Sequence, residues 1–410
     1  MKLLHVTQGY NPAIGGTERL VQRVSEELVR QFSDSVTVFT TNCYNAEGFS
    51  NPFLPHMKTG DQIIHGVCVR RFPVVSPVSG LARVAQKALR TLKIQTSESW
   101  RTFAQGPYIP GIEAAIQRES ADLIMAASFP LMHMYSALSA ATKLSRPCVL
   151  HGCIHPEDTL AFQRKMILEA IRAANHYMAN TEYEADFLIR QGISREKITV
   201  IGIGVDLETF DGFDTQQTKR ELGFGSDPVV GFIGQLGRYK GVDTLLRAAP
   251  VIWEKCPEVR FLIAGGRTTF TRHLEHQVQQ FPARLQERIV FKYNFAEEEK
   301  PRLFSSVDVI AYPSGFESFG ITFLEAWAAR KPVVGCAQGA IPCVVRDNVD
   351  GILVQYQHEQ SLANAITDLL NHPQKAAAMA EEGYQKTAQR YTWARIAPNY
   401  RHVYERILNA

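Results

Sequence analysis

Residues 306–334, SVDVIAYPSGFESFGITFLEAWAARKPVV, carry the reading that decides the fold. Val307–Tyr312 is a short apolar run of the kind that forms a strand buried on both faces. Pro313-Ser314-Gly315 breaks it, and from Gly320 the pattern turns helical until Arg330-Lys331-Pro332 ends it. Val333 and Val334 open the next apolar run. Strand, loop, helix and strand in succession make a parallel crossover unit. In an open α/β sheet, the loop at the carboxyl end of such a strand is where ligands bind. The amides of Phe319, Gly320, Ile321 and Thr322 would lack helical acceptors there. With the helix dipole behind them, they attract phosphate. Glu317 and Glu325 bracket this helix start. Their spacing alone arises about once or twice by chance in a chain of this size. The helix start between them gives the spacing its weight.

The same alternation runs through all 410 residues. Strand-like runs fall at 3–7, 36–40, 67–72, 122–126, 147–151, 176–180 and 198–201. They resume at 229–233, 259–264, 289–292, 307–312, 333–336 and 351–354. Helical patterns lie between them, including 17–31 and 157–174. So many strands are too many for one comfortable sheet. The expectation is α/β, two Rossmann-like doubly wound domains of mainly parallel strands, facing a cleft that serves as the ligand site. The polar stretch 206–228 is read as the join, giving domains 1–207 and 208–390 and a C-terminal helix over 391–410.

Hydrophobic content of 45% and charged content of 21% fit a soluble globular chain, and a net charge of +3 gives no reason to invoke nucleic acid. Seven cysteines without a C-x-x-C pair read as core thiols in a reducing compartment. Met1–Thr7 reads as a strand and not a signal peptide, and no apolar run reaches the ~18–20 residues of a membrane span. The expected location is cytoplasmic.

One region departs from this balance. Residues 62–112 hold seven basic residues, Arg70, Arg71, Arg83, Lys87, Arg90, Lys93 and Arg101, against the single acid Glu98. Within it Leu81, Val84, Ala85, Ala88, Leu89 and Leu92 follow a helical rhythm. The first expectation is a helix whose apolar stripe faces the core and whose basic face is solvated. The alternative is a surface, within the basic region 70–101, for an anionic acceptor or for peripheral contact with the inner face of a membrane.

Three further segments bear on chemistry. Phe232-Ile233-Gly234-Gln235-Leu236-Gly237-Arg238-Tyr239-Lys240-Gly241 is a strand ending in a glycine loop with two cations, suited to phosphate. It is not a Walker loop, since Lys240 has no Gly before it and no Ser or Thr after it. The turn Asn11–Glu18 holds Gly15 and Gly16 and opens a helix without a cation; neither it nor Gly202-Ile203-Gly204 completes the dinucleotide fingerprint. Cys148-Val149-Leu150-His151-Gly152 is a strand whose end would present His151 to the cleft. His151 and His155 lack a partner pair at metal-ligand spacing, and no Asp-x-Asp triplet appears, so no metal is expected.

Taken together these motifs resemble the family 4 (group 1) retaining glycosyltransferases of the two-domain GT-B fold. The resemblance runs through Gly15-Gly16-x-Glu18, His151, Val200–Asp206, the Gly234…Lys240-Gly241 loop, Ala264-Gly265-Gly266, and Pro313-Ser314 leading to Glu317 and Glu325. It implies metal-independent transfer of a hexose-type sugar from a nucleoside-diphosphate sugar to a glycan or lipid-linked acceptor, with retention and without a cofactor. It implies a catalytic set of His151, Arg238, Lys240 and Glu317. Lys240 would meet the diphosphate, Glu317 the sugar hydroxyls, and His151 the sugar's reacting face. Donor contacts would come from Gly15, Gly16, Gly234, Gln235, Gly266, Tyr293, Phe295, Ser318, Phe319, Gly320, Ile321 and Thr322, with Glu325 on the ribose. The final helix would cross back to the first domain. Gln235 stands where the family often has arginine, and Arg238 is read as supplying that charge. A sugar-nucleotide epimerase and a non-catalytic nucleotide-sugar-binding subunit are the alternatives.

Overall fold

The computed structural model describes residues 1–13 and 15–409. Ile14, in the expected glycine turn, and Ala410, in the expected C-terminal helix, lie outside the described residues. The chain forms two compact α/β units, Met1–Gly202 with Trp393–Ala410, and Ile203–Thr392. The division falls at Gly202 and not at 207. Val205 donates its N–H to the Tyr391 carbonyl at 2.8 Å, and Val205 and Thr392 form a parallel bridge, so the entering and leaving segments of the second unit are tied together.

The first unit holds β1 (Lys2–Val6), β2 (Ser35–Thr41), β3 (Gly60–Ile64), β4 (Val67–Phe72), β5 (Leu123–Ala127), β6 (Cys148–His151), β7 (His176–Ala179) and β8 (Ile198–Val200). Their order is β3-β4-β2-β1-β5-β6-β7-β8, parallel except for β3. β3 is the strand the sequence pattern misses. GDQII is polar and largely exposed, as an edge strand can be. Its signature was the two-residue link His65-Gly66, both at positive φ (46° and 83°), the geometry of a tight hairpin.

The second unit holds β9 (Val229–Ile233), β10 (Arg260–Gly265), β11 (Ile289–Tyr293), β12 (Val309–Tyr312), β13 (Val333–Cys336) and β14 (Ile352–Val354), all parallel, in the order β11-β10-β9-β12-β13-β14. Strand order reverses between β9 and β12, so the loops leaving those strands flank the switch point of the sheet.

Four helices carry the rest of the argument: α1 (Gly16–Phe32), α2 (Ser76–Thr91), α3 (Ile321–Ala328) and α4 (Trp393–Leu408). α4 buries Trp393, Ile396, Ala397, Tyr400, Val403 and Tyr404 at helical spacing and packs on α1, with Arg401 paired to Asp34 at 3.2 Å. The expected helix over 157–174 is broken into Thr159–Phe162 and Lys165–Ala173. Between them Arg164 is extended, and its buried guanidinium reaches Thr102 and Gln105 at 3.1 and 3.2 Å. None of the seven cysteines is in a disulfide.

α2 reverses the first expectation for the basic region. Of its stripe, Leu81, Val84 and Leu92 are 74%, 69% and 69% exposed and Ala88 is exposed, only Ala85 and Leu89 are half-buried, and the residues that face fully inward are Ser76, Ser79 and Ala82. Close backbone approach explains the choice. Ser76 Oγ donates to the Gly48 carbonyl at 2.6 Å, and a Cβ on Gly80 would stand 2.6 Å from the Ser50 carbonyl oxygen. Only small side chains fit that contact. Among the described residues, no helix is long and apolar enough to cross a membrane.

Candidate active site

The loop after β9 is pinned by Leu236, which is fully buried. At its end Gly241 takes φ 75°, and a Cβ there would lie 2.1 Å from the Pro313 carbonyl oxygen. Only glycine allows that contact, and it presses this loop against the loop after β12. Tyr239 completes the seam by accepting the Gly315 N–H at 2.8 Å through its carbonyl oxygen.

The seam places Lys240 against Glu317, Nζ to Oε1 at 2.6 Å, with side chains only 11% and 9% exposed. Burial opposes the ammonium. The Glu317 carboxylate and the Tyr312 and Tyr239 oxygens outweigh it and hold Lys240 above the ordinary lysine range. The ammonium also lies 5.0 and 5.5 Å from the Tyr239 and Tyr312 ring centres.

Glu325, in the second turn of α3, has its own lysine. Lys300 bonds Glu325 and lies 3.4 Å from Glu297. Burial works against this cation too, and the Glu325 and Glu297 carboxylates raise it above its usual range. The sequence reading missed Lys300, because Glu297-Glu298-Glu299-Lys300 looks like a solvated charge run.

Between the two glutamates the chain turns into α3 at Gly320, φ 96°, where a Cβ would meet the Phe323 ring at 2.7 Å. No acceptor among the described residues takes the N–H groups of Phe319, Gly320, Ile321 or Thr322. Phe319 is buried with its ring edge-on to Tyr391 at 5.4 Å, which fixes the turn from below. Ser318 is half-buried beside it.

The remaining residues expected to meet a donor lie at the carboxyl end of the same sheet. Gly234 donates its N–H to Ala264 at 2.9 Å, and Gln235 Oε1 accepts the Tyr239 hydroxyl at 3.1 Å. Gly266 is exposed with open space at its Cβ position. Tyr293 pairs with Gly265 across β10 and β11, and its hydroxyl donates to Glu275 at 2.9 Å. Burial and Glu275 push that phenol up to about 12. Phe295 is half-buried just beyond. Arg238 does not join the Lys240–Glu317 pair. It is exposed, with its guanidinium 5.5 Å from the Phe270 ring centre.

In the first unit, Gly15 caps α1 in an extended conformation and Gly16 is its first residue. A Cβ on Gly15 would stand 2.1 Å from Glu18 Oε2, so the carboxylate folds back under the turn, where burial raises its pKa. His151 closes β6 but does not open outward as expected. It is 0% exposed. Its Nε2–H donates to Asn180 Oδ1 at 2.7 Å, and its Nδ1 accepts the Tyr400 hydroxyl at 2.8 Å. Burial lowers its pKa to about 4 against the Asn180 bond. The turn after it is held by buried Glu184, which accepts from Tyr177 OH, Ile154 N–H and Asn180 N–H at 2.5, 2.9 and 2.8 Å. Burial overrides these donors and raises that carboxyl to about 7. Asn180, Glu184 and Tyr400 left no signal in the sequence, since each acts through a contact distant along the chain.

Residues 214–386 match the model of the family Glycosyl transferases group 1, and residues 14–209 match that of Glycosyltransferase Family 4. The chain belongs to the group 1, family 4 glycosyltransferases. Its fold is the GT-B fold. The D-inositol 3-phosphate glycosyltransferase of Corynebacterium aurimucosum is 29% identical over 285 residues, 67% of this chain and 66% of that protein. Matches to such relatives span from 46% to 66% of the relatives' own length. Among solved structures, Anabaena HepE in complex with UDP-glucose superposes with a TM-score of 0.73 at 22% identity, covering 99% of both chains. The sucrose-phosphate synthase of Thermosynechococcus elongatus gives 0.75 at 20% identity over the whole of both. In this family member, two lysine–carboxylate pairs and open amides line a switch point, an arrangement chemically suited to an anion flanked by hydroxyls.

Proposed function

We propose that the protein transfers a hexose-type sugar from a nucleoside-diphosphate sugar to a glycan or lipid-linked acceptor, with retention at the anomeric carbon and without a metal. The observation that carries this reading is the Lys240–Glu317 pair beside the open amides of α3. A departing diphosphate needs fixed cations and aimed N–H groups, and this loop seam supplies both. The UDP-glucose held by the Anabaena relative supports a nucleotide-sugar donor. In this reading Lys240 meets the diphosphate, Glu317 the sugar hydroxyls and Glu325 the ribose. Arg238 swings from Phe270 to add a second charge. His151 acts at the reacting face once its ring is released from Asn180 or Tyr400. The bond from anomeric carbon to phosphate oxygen breaks while the acceptor oxygen bonds on the same face. The acceptor's proton passes to the leaving phosphate, so Glu317 forms no covalent intermediate.

A thermal-shift panel of sugar nucleotides finds the donor, because the right one raises the melting temperature by mass action. Release of nucleoside diphosphate with acceptor present should then fall roughly 10²–10³-fold in Lys240→Ala and Glu317→Ala. Full turnover in both variants, or turnover of donor to its epimer without acceptor, overturns the proposal. A trapped glycosyl–Glu317 adduct overturns the front-face route.

A further inference from the structure

We propose that α2 is a docking surface for an anionic phospholipid membrane. The packed side of this helix is made of Ser76, Ser79 and Ala82, with Ala85 and Leu89 half-buried, while Leu81 and Val84, and Leu92 at its end, are left outside. Leu81, Val84, Ala88 and Leu92 recur three, four and four positions apart, which places them on one helical face. Ile94, just past the helix, is 51% exposed. The neighbouring 48–56 loop is fastened to the first turn of α2 at both ends, by Ser76 Oγ to the Gly48 carbonyl at 2.6 Å and to His56 Nε2 at 3.4 Å. It carries Phe53, which is 94% exposed.

Charge decides the occupant. Of the seven basic residues in this region, Arg70 is paired with Asp61 and Glu119, Arg71 with Gln62 and the Asn11 carbonyl, and Arg101 lies near Glu98. Arg83 bonds the Gln105 carbonyl at 3.4 Å. Lys87, Arg90 and Lys93 are exposed, and no acid among the described residues pairs with them. Glu98, the nearest acid in sequence, accepts the amides of Lys165 and Met166 instead. Exposed leucine and valine beside unpaired lysine and arginine on one helix is the pattern of a helix lying in the headgroup layer. The apolar edge enters the acyl boundary while the cations meet lipid phosphate. A second copy fits worse, because a two-fold contact would set these unpaired cations against their own images.

The test is flotation of the full chain with vesicles of phosphatidylcholine alone and with about a third phosphatidylglycerol. Binding is expected to the anionic vesicles only and to weaken with salt. Near a membrane each lysine or arginine contributes about 1 kcal/mol, so K87Q/R90Q/K93Q should lower partitioning on the order of a hundredfold. L81S/V84S should abolish it at unchanged salt dependence of any residual binding, with circular dichroism and melting temperature preserved. No flotation of the parent protein overturns the proposal. So does binding unchanged in either variant, or concentration-dependent dimerisation that L81S/V84S removes. Equal binding to heparin in the parent and in L81S/V84S, without flotation, reduces the surface to a polyanion site and also overturns it.

Discussion

At the carboxyl ends of their sheets, the two units bury polar groups in opposite ways. In the first, His151, Asn180, Tyr400 and Glu184 form a network whose histidine is kept neutral, with its pKa at about 4, and whose carboxyl is raised to about 7. In the second, Lys240 and Lys300, paired with Glu317 and Glu325, are kept charged, both held above the ordinary lysine range. Neutral groups hydrogen-bonded to one another lock a loop in place, although the buried Asn180 Nδ2 has no partner among the described residues. Charged pairs with open amides beside them keep an electrostatic field for something else to meet. As it stands the first arrangement clasps β6, β7 and α4 together, a clasp His151 must leave to act in the proposed reaction, and the second is poised for an anion.

Breaking one partner should show the contrast most strongly. Lys240→Ala leaves the Glu317 carboxylate buried and unpaired, a loss of about 3–5 kcal/mol. The double variant Lys240→Met with Glu317→Leu should be less destabilised than that single one, because no lone charge remains. Chemical denaturation followed by hydrogen exchange in residues 203–392 checks this. A double variant at least as unstable as Lys240→Ala would show that the pair is not coupled.

Acid should separate the units. His151 has a folded pKa of about 4 against its ordinary 6.5. The unfolded chain therefore takes up the proton first as pH falls. The contribution of the neutral ring is complete above pH 6.5 and is lost as pH drops toward 4, by up to about 3 kcal/mol at 1.36 kcal/mol per unit. His133, lowered to about 4, and His5, lowered to about 3, act in the same sense. Glu184 acts oppositely: its contribution is present below 4.5 and lost as pH rises through about 7. His176 is likewise lowered to about 4 by burial, and Glu18, raised by burial, acts with Glu184, so four histidines stand against two carboxyls. Hydrogen exchange between pH 7 and 5 should therefore show the first unit losing protection, and equal loss in both units contradicts the contrast.

Smaller effects sharpen the picture. Tyr400→Phe removes the hydroxyl on His151 and leaves a buried ring nitrogen without a donor, worth about 1–3 kcal/mol in the melting of the first unit. Gly320→Ala forces a side chain into the left-handed turn at α3, about 1–2 kcal/mol of strain. It should weaken binding of the donor found by thermal shift more than it lowers the melting temperature. The reverse order would mean that the turn serves only the fold.

Much of the fold was legible because its signals are local. Thirteen apolar runs bounded by turn residues located thirteen of the fourteen strands, and the missing one, β3, is a polar edge strand without such a run. The loops holding Lys240 and Glu317 were readable as strand ends opening helices, and Gly241 and Gly320 as turn residues. The rest came from contacts between distant segments. α2 shows the limit most clearly: its periodicity gave a helix with an apolar stripe, but close backbone approach at Gly80 decided that the small residues face inward.

The sequence by itself determined two parallel α/β sheets, the family, and the loops that carry charge at the strand ends, because strand length, helical period and turn chemistry act within a few residues. Only the tertiary structure decided that Lys300 belongs to Glu325, that His151 is enclosed by Asn180 and Tyr400, and which face of α2 meets water. Those outcomes depend on strand order and packing depth, which bring together groups up to 249 residues apart.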